Sequence, residues 1–483
     1  MKRTPSTLLS FLPILFLVGS LSLNMIYFTD DVLSGSTQMM LLISALLVCG
    51  ISILYLKTPW HDLEKGIVKH LSESIPAILI LLLIGVLSGT WMISGVVPAM
   101  IYYGLQVVYA PVFLATACIV CAIVSVSTGS SWTTVATIGI AMLGIGKVLG
   151  YSDGVIAGAI ISGAYFGDKI SPLSDTTNLA SSSTGTPLFT HIRNMLITTT
   201  PTFALTIILF LIVGFYSYEE GSVGSQELAD TILAHYSVNP VLFVVPAFTI
   251  WMIIKRIPAF ITLFVSSLLA AVFAIVLQDN VCQMVSGITD NSFAAGLISS
   301  LRSMYGSVSL QTDNELFNQL TATKGMAGML NTVWLIICAM VFGGSMDAAG
   351  MLMALSRAMI RFMHNAVSCV SSTVATCILM NITTADQYIS ILLPGKMYSG
   401  VFKKRGFDSS LLSRTLEDSA TVTSVLIPWN TCGMTQASVL NVATLTYLPY
   451  CFFNIISPIM SIFIAAIGYK IKRIPAEEIK KQE

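Results

Sequence analysis

"DGVIAGAIISGAYFGDKISPLSDTTNLA", residues 153–180, decides the architecture of this 483-residue chain. Its first half is an apolar run rich in small residues, of the kind that crosses a membrane as a helix. Its second half sets Asp168, Lys169 and Asp175 around Pro172, in a chain that is 55% hydrophobic and only 10% charged. Soluble domains carry about 25% charged residues. Here, apolar stretches of about twenty residues recur from end to end, each long enough to cross a hydrocarbon core about 30 Å thick. The segment therefore reads as a membrane helix broken near its middle, and the chain as an all-α polytopic membrane protein. The apolar runs are continuous rather than alternating, which excludes a transmembrane β-barrel. A net charge of zero gives no sign of a nucleic-acid partner.

Working outward, Lys2 and Arg3 precede an apolar run without an A-x-A cleavage site, so this run is read as the first span rather than a signal peptide. The spans predicted in order are 8–28, 37–56, 75–98, a long stretch 111–149 interrupted by "STGSS" (127–131), the broken helix 154–180, and 195–217. Then come 239–254, 258–277, 325–355, a stretch 365–394 interrupted by "NITTAD" (381–386), a second broken helix 409–435, and 445–469. Two amphipathic stretches, "HDLEKGIVKHL" (61–71) and "FAAGLISSLRSMY" (293–305), read as helices lying on the membrane surface. Cys118 and Cys121 form a C-x-x-C with no histidine nearby and read as small apolar residues. The five histidines, His70 and His191 among them, fall near span ends or in loops and read as surface residues.

The halves repeat. "SGTWMISG" (88–95) aligns with "GGSMDAAG" (343–350) at an offset of 255, and "TGSSWT" (128–133) with "TADQYI" (384–389) one residue further on. At an offset of 250, "GDKISPLS" (167–174) falls on "EDSATVTS" (417–424), pairing Asp168 with Asp418. Lysine and arginine favour cytoplasmic loops. That rule puts Lys2, Arg3, Lys57, Lys65, Lys69, Lys255, Arg256, Arg357, Arg361, Lys403, Lys404, Arg405 and the tail inside, and the acidic loop with Glu219, Glu220, Glu227 and Asp230 outside. The scheme closes only if 111–149 and 365–394 return to the side they entered from, as re-entrant hairpins. The expected division is a first membrane repeat, 1–230, an inverted second repeat, 231–475, and a cytoplasmic tail, 476–483. Inverted repeats with broken helices at corresponding positions are the pattern of secondary transporters, with the site near the midplane.

The breaks carry the chemistry. A carboxylate at membrane depth is costly and marks an ion or proton path. A hard monovalent cation takes oxygen ligands, from carboxylate, hydroxyl and free backbone carbonyl. The first break supplies Asp168, Ser171, Ser174, Asp175, Thr176, Thr177 and Asn178. The mirrored break supplies Asp418, Ser419, Thr421, Thr423, Ser424, Asn430 and Thr431, with Pro428 as breaker. The hairpin tips add Thr128, Ser130 and Ser131 on one side, and Thr383, Thr384 and Asp386 on the other. Lys169 is either a participant in the exchange or a structural counter-charge to Asp168 or Asp175. Asp175 alternatively caps the segment after it. Asp347, among small residues that allow close helix approach, is read as functional, with a hydrogen bond across the bundle as the alternative. Glu417 is read as facing water at a helix end.

"GTWMISGVVPAMIYYG" (89–104), "FGDKISPLSDTTNLA" (166–180) and "ADQYISILLPGKMY" (385–398) resemble signatures of the NhaC-type sodium/proton antiporters. The resemblance runs from the third span to the last. It implies the ion-transporter fold with paired re-entrant hairpins, transported Na+ and H+ with no cofactor, and a cell-membrane location with both termini cytoplasmic. The helices outside the broken and hairpin segments are left for packing and for a contact between two copies. The family also contains exchangers of malate for lactate, so an organic acid stays open as the alternative cargo. Gly167–Asp168 touches the G-x-G-D motif of intramembrane aspartyl proteases, but Tyr165 stands at the first glycine and no Tyr-Asp pair occurs in the chain. H-E-x-x-H, G-x-S-x-G and nucleotide-binding motifs are likewise missing, which argues against an enzyme and against ATP drive.

Overall fold

The computed structural model describes residues 3–28, 35–217 and 224–474. Lys2, Glu219, Glu220 and the tail 476–483, which enter the charge argument, lie outside them. Among the described residues the chain is helical, with two isolated β-bridges and no strand. Among the described residues, nine helices are long and apolar enough to cross a membrane, or up to eleven if each of two bent pairs counts as one span.

Two helical hairpins occupy the stretches predicted to double back. The first joins Phe113–Thr128 to Ser131–Val148, turning at Gly129 with φ 67°. The second joins Ala366–Thr384 to Gln387–Lys404, turning at Ala385 with φ 56°. It runs past the predicted end at 394 because Pro394 is held inside the helix, which membrane helices tolerate. The two tips are built alike. Thr128 Oγ1 accepts from the Ser130 amide at 3.4 Å, and Ser130 Oγ accepts from the Thr133 amide at 3.2 Å. At matching positions Thr384 Oγ1 accepts from the Asp386 amide at 3.3 Å, and Asp386 Oδ1 from the Ile389 amide at 3.0 Å.

The opening segment is two helices, Asp153–Ile170 and Asp175–Thr184, separated at Pro172. Its counterpart runs from Ser409 to Ser424 through a π-helical turn, Glu417–Thr421, breaks at 425–430 around Pro428, and resumes as Thr431–Leu440. Carbonyls freed by this turn and break are met by buried side chains. Asn381 Nδ2 donates to Ala420 O at 2.7 Å, Asn454 Nδ2 to Val422 O at 2.9 Å, and Tyr447 Oη to Val425 O at 3.0 Å. Lipid could not satisfy these groups. The break itself corrects one alignment. Asp168 stands two residues before the end of its helix but Asp418 six before the end of its own, so the two aspartates do not occupy equivalent positions.

Small residues set the close crossings. A Cβ on Gly167 would lie 2.5 Å from Ala122 O, and Ser125 Oγ donates to Ala164 O at 2.5 Å, so the first broken helix lies directly on its hairpin. Residues 61–71 are not a separate surface helix. They are the first turns of one 34-residue helix, Trp60–Ile93, about 51 Å long at 1.5 Å per residue. Residues 292–305 do form their own helix. Gly89 meets the Ser303 backbone and Gly344 the backbone of Gly66 and Ile67. Each half's paired glycine therefore crosses the amphipathic segment of the other half.

Candidate functional site

The two broken helices meet where Lys169 and Thr176 approach Asp418 and Glu417. Asp168 is 6% exposed and is held by three donors. The Ser131 amide reaches Oδ2 at 3.1 Å and its hydroxyl the same oxygen at 2.7 Å, while Ser174 Oγ reaches Oδ1 at 2.6 Å. Ser131 belongs to the first hairpin tip, so one carboxylate joins the tip to the break. Ser174 Oγ also lies 3.0 Å from Thr176 Oγ1.

Lys169 turns away from Asp168. Its ammonium pairs with Asp418 Oδ1, donates to Ser457 Oγ at 3.0 Å, and stands 5.5 Å from the Phe453 ring centroid. The expectation that Lys169 neutralises Asp168 or Asp175 is thus corrected. The helix carries Asp168 and Lys169 on neighbouring faces, and only the lysine reaches the other half. Asp418 also accepts from Thr198 Oγ1 at 3.0 Å, and its Oδ2 lies 4.0 Å from Arg414 Nε. Lys169, Asp418 and Arg414 are all fully buried.

Glu417 does not face water, as its place before the break had suggested. It is fully buried at the start of the π-helical turn, and neither carboxylate oxygen has a hydrogen-bond partner among the described residues. The Thr421 and Thr176 hydroxyls lie beside it short of bonding geometry, with Asp168 and Lys169 within electrostatic reach. Two histidines are also not surface residues. His191 is fully buried, with Nδ1 2.8 Å from Ser413 Oγ, and His70 is 1% exposed.

Other candidates are placed differently. Asp175 is exposed in the first turn of Asp175–Thr184, where a negative charge suits the helix dipole, and Ser174 rather than Asp175 is the N-cap residue. Asp386 caps the second helix of its hairpin. Asp347 meets His70 Nε2 at 3.2 Å across the crossing near Gly344, and is 40% exposed. This is a hydrogen bond across the bundle, made to an imidazole. Asp347→Asn is expected to weaken transport while leaving membrane insertion intact, checked by flux in vesicles of equal protein content. Unchanged flux would reduce the residue to packing.

Several hydroxyls spend themselves locally. Thr177 donates to Lys169 O at 2.9 Å, Ser171 to Val126 O at 2.8 Å, Thr383 to Leu379 O at 2.8 Å and Thr423 to Ser419 O at 2.7 Å. Asn178 donates to Ser174 O at 2.7 Å. Asn430 caps the resumed helix through the Cys432 amide at 3.1 Å, and the Thr431 amide donates to Ala385 O at 2.8 Å, tying the second break to the second hairpin tip. A separate cleft lined by Ile84, Leu143, Lys324 and Asn441 contains none of these carboxylates.

A profile of the Na+/H+ antiporter family matches residues 163–469, spanning both breaks and the second hairpin. The chain belongs to this family. It is 34% identical over 427 residues to the Na(+)/H(+) antiporter NhaC of Alkalihalophilus pseudofirmus, covering 88% of this chain and 89% of that one. It is 35% identical over 413 residues to NhaC of Bacillus subtilis, covering 85% and 88%. It is also 34% identical over 400 residues to the malate-2H(+)/Na(+)-lactate antiporter of the same organism, covering 82% of each chain. In this chain the candidate site is a cluster of buried charges where the two helix breaks meet. Sequence reasoning found Asp168, Lys169 and Asp418 in this one but missed Glu417, Arg414 and His191. The signal for Glu417 was present, since it abuts Asp418 in the mirrored break.

Proposed function

We propose that this protein exchanges sodium for protons across the cell membrane by alternating access, at a site centred on Asp168. The observation that carries the reading is a membrane-depth carboxylate shared between a helix break and a hairpin tip, with oxygen-bearing side chains around it. Burial disfavours an ionised carboxylate in general, and a bound cation favours it. A site of this kind is therefore suited to holding one or the other. The matching tips and the reciprocal glycine crossings support two inverted repeats, 1–230 and 231–475, whose relative rocking would expose the site to each side in turn. Asp175 and Asn178 are exposed, as is Tyr388 at 41%. A carboxylate at this depth does not face lipid, which supports a watery entry on the side of Thr184.

The charge pattern supports cytoplasmic termini and an entry on the inner side. All nine cysteines are buried, so single cysteines introduced on the wild-type background report cleanly. Ser225→Cys is expected to react with an impermeant thiol reagent from outside and Lys404→Cys from inside. Reaction of both from one side would sink the inverted arrangement.

The functional test is proton movement in liposomes after a sodium pulse. Sodium alone should drive proton flux through the purified protein. A response that requires malate or lactate would favour an organic-acid exchanger. Arg414, buried with Nε and one terminal nitrogen lacking hydrogen-bond partners, is the group that would then hold a carboxylate.

A further inference from the structure

We infer that Glu417 is the second carboxylate of the exchange site and that one monovalent cation, sodium or a proton, is held between it and Asp168. The inference rests on the exchange reading and goes beyond it by naming the residue from the second half and the charge that the site carries.

Among the described residues Glu417 has no ion-pair partner and no hydrogen-bond donor in bonding geometry, although it is fully buried. An ionised carboxylate in that position is tolerated only when paired or neutralised. Asp168, by contrast, has three donors aimed at its carboxylate oxygens. Charge counting leads to the same point. Where the broken helices meet, Lys169 and Arg414 bring two positive charges, and Asp168, Asp418 and Glu417 bring three negative ones. Lys169 and Arg414 both face Asp418. One positive charge is missing, and the groups left without it are Glu417 and Asp168.

The oxygen atoms nearby suit a small cation. Thr421 Oγ1, one turn beyond Glu417, is itself buried without a partner. Thr176 lies beside Glu417 and is linked through Ser174 to Asp168. Other titratable groups facing Glu417 do not supply the charge. Cys377 on the neighbouring hairpin brings none when protonated. His191 stands close to Lys169, and its Nε2 has no acceptor, so a protonated ring would leave a buried donor unpaired. The site therefore takes one cation for one proton, and the two carboxylates titrate as a pair.

Thermal unfolding of the purified full-length protein in detergent, in sodium chloride against choline chloride over a pH series, tests this alongside liposome flux. Sodium is expected to raise the unfolding temperature of the wild type, with the effect shrinking as pH falls. Glu417→Gln, which mimics the protonated carboxyl, should fold, lose the sodium-dependent shift and lose sodium-driven proton flux. Glu417→Asp should keep both at higher sodium concentrations. A Glu417→Gln protein with wild-type shift and flux overturns the assignment. So does one that fails to fold, because a neutral side chain there is one of the two native states. So does a wild type that shows no sodium shift while it exchanges. A wild type without sodium-driven flux instead defeats the exchange reading itself, before any variant is made.

Discussion

Asp418→Asn protein is expected to lose more stability than any other single substitution at this site. Removing one partner of a buried ion pair costs about 3–5 kcal/mol, because the charge left behind has neither water nor a counter-ion. Asp418 serves two cations, Lys169 and Arg414, and both are fully buried. Lys169→Ala should fall in the same range but lose less, since Asp418 retains Thr198 Oγ1 at 3.0 Å and Arg414 Nε at 4.0 Å. Thermal unfolding in detergent, with size-exclusion profiles to follow the folded fraction, measures both. A Lys169→Ala protein as stable as the wild type would show that this pair does not lock the two breaks together.

Asp168→Asn should separate stability from transport in the opposite direction. The amide oxygen, placed at the Oδ2 position, still accepts from the Ser131 amide and hydroxyl, and the Ser174 hydroxyl at 2.6 Å can rotate to accept from the new NH2 group at the Oδ1 position. The variant is therefore expected to fold and insert. It ligates a cation weakly and brings no charge, so sodium-driven proton flux should vanish at every pH. Ser131→Ala, which removes the hydroxyl and keeps the backbone amide donor, should be intermediate. One hydrogen bond to a charged group is worth about 1.5–3 kcal/mol, enough to shift sodium affinity without abolishing exchange. Full coupled exchange in Asp168→Asn would make the opening motif a structural break and place the site elsewhere.

Much of this arrangement was legible in the chain because lipid makes the rules strict. Apolar length fixed the spans, and proline among polar residues at 171–174 and 425–431 marked the breaks to within a few residues. What the sequence hid was direction. Asp168 and Lys169 are adjacent, and nothing in their spelling tells which of them looks into its own half and which reaches across. The pairing of Lys169 with Asp418 joins residues 249 positions apart, a contact that only the fold sets. Glu417 was misread because a glutamate next to an aspartate before a break looks like a helix end in water. The helix instead runs on to Ser424 through a π-helical turn, a feature without a local sequence signature. Residues 61–71 read as a separate segment for a related reason, since their polar, amphipathic character suggests a boundary that the continuous helix Trp60–Ile93 does not have. The histidines were missed because burial of His70 and His191 depends on partners far along the chain, Asp347 and Ser413.

The account stands on protons and sodium sharing one site. The direct measurement is the sodium concentration giving half-maximal proton flux in liposomes, determined for the wild type across a pH series. If one proton is displaced for each sodium bound, that concentration should rise about tenfold for each unit by which pH is lowered below the titration of the site, a pKa unit being about 1.36 kcal/mol. A sodium requirement that stays constant across the series, with flux intact, would mean that the two ions occupy separate sites and would contradict the account.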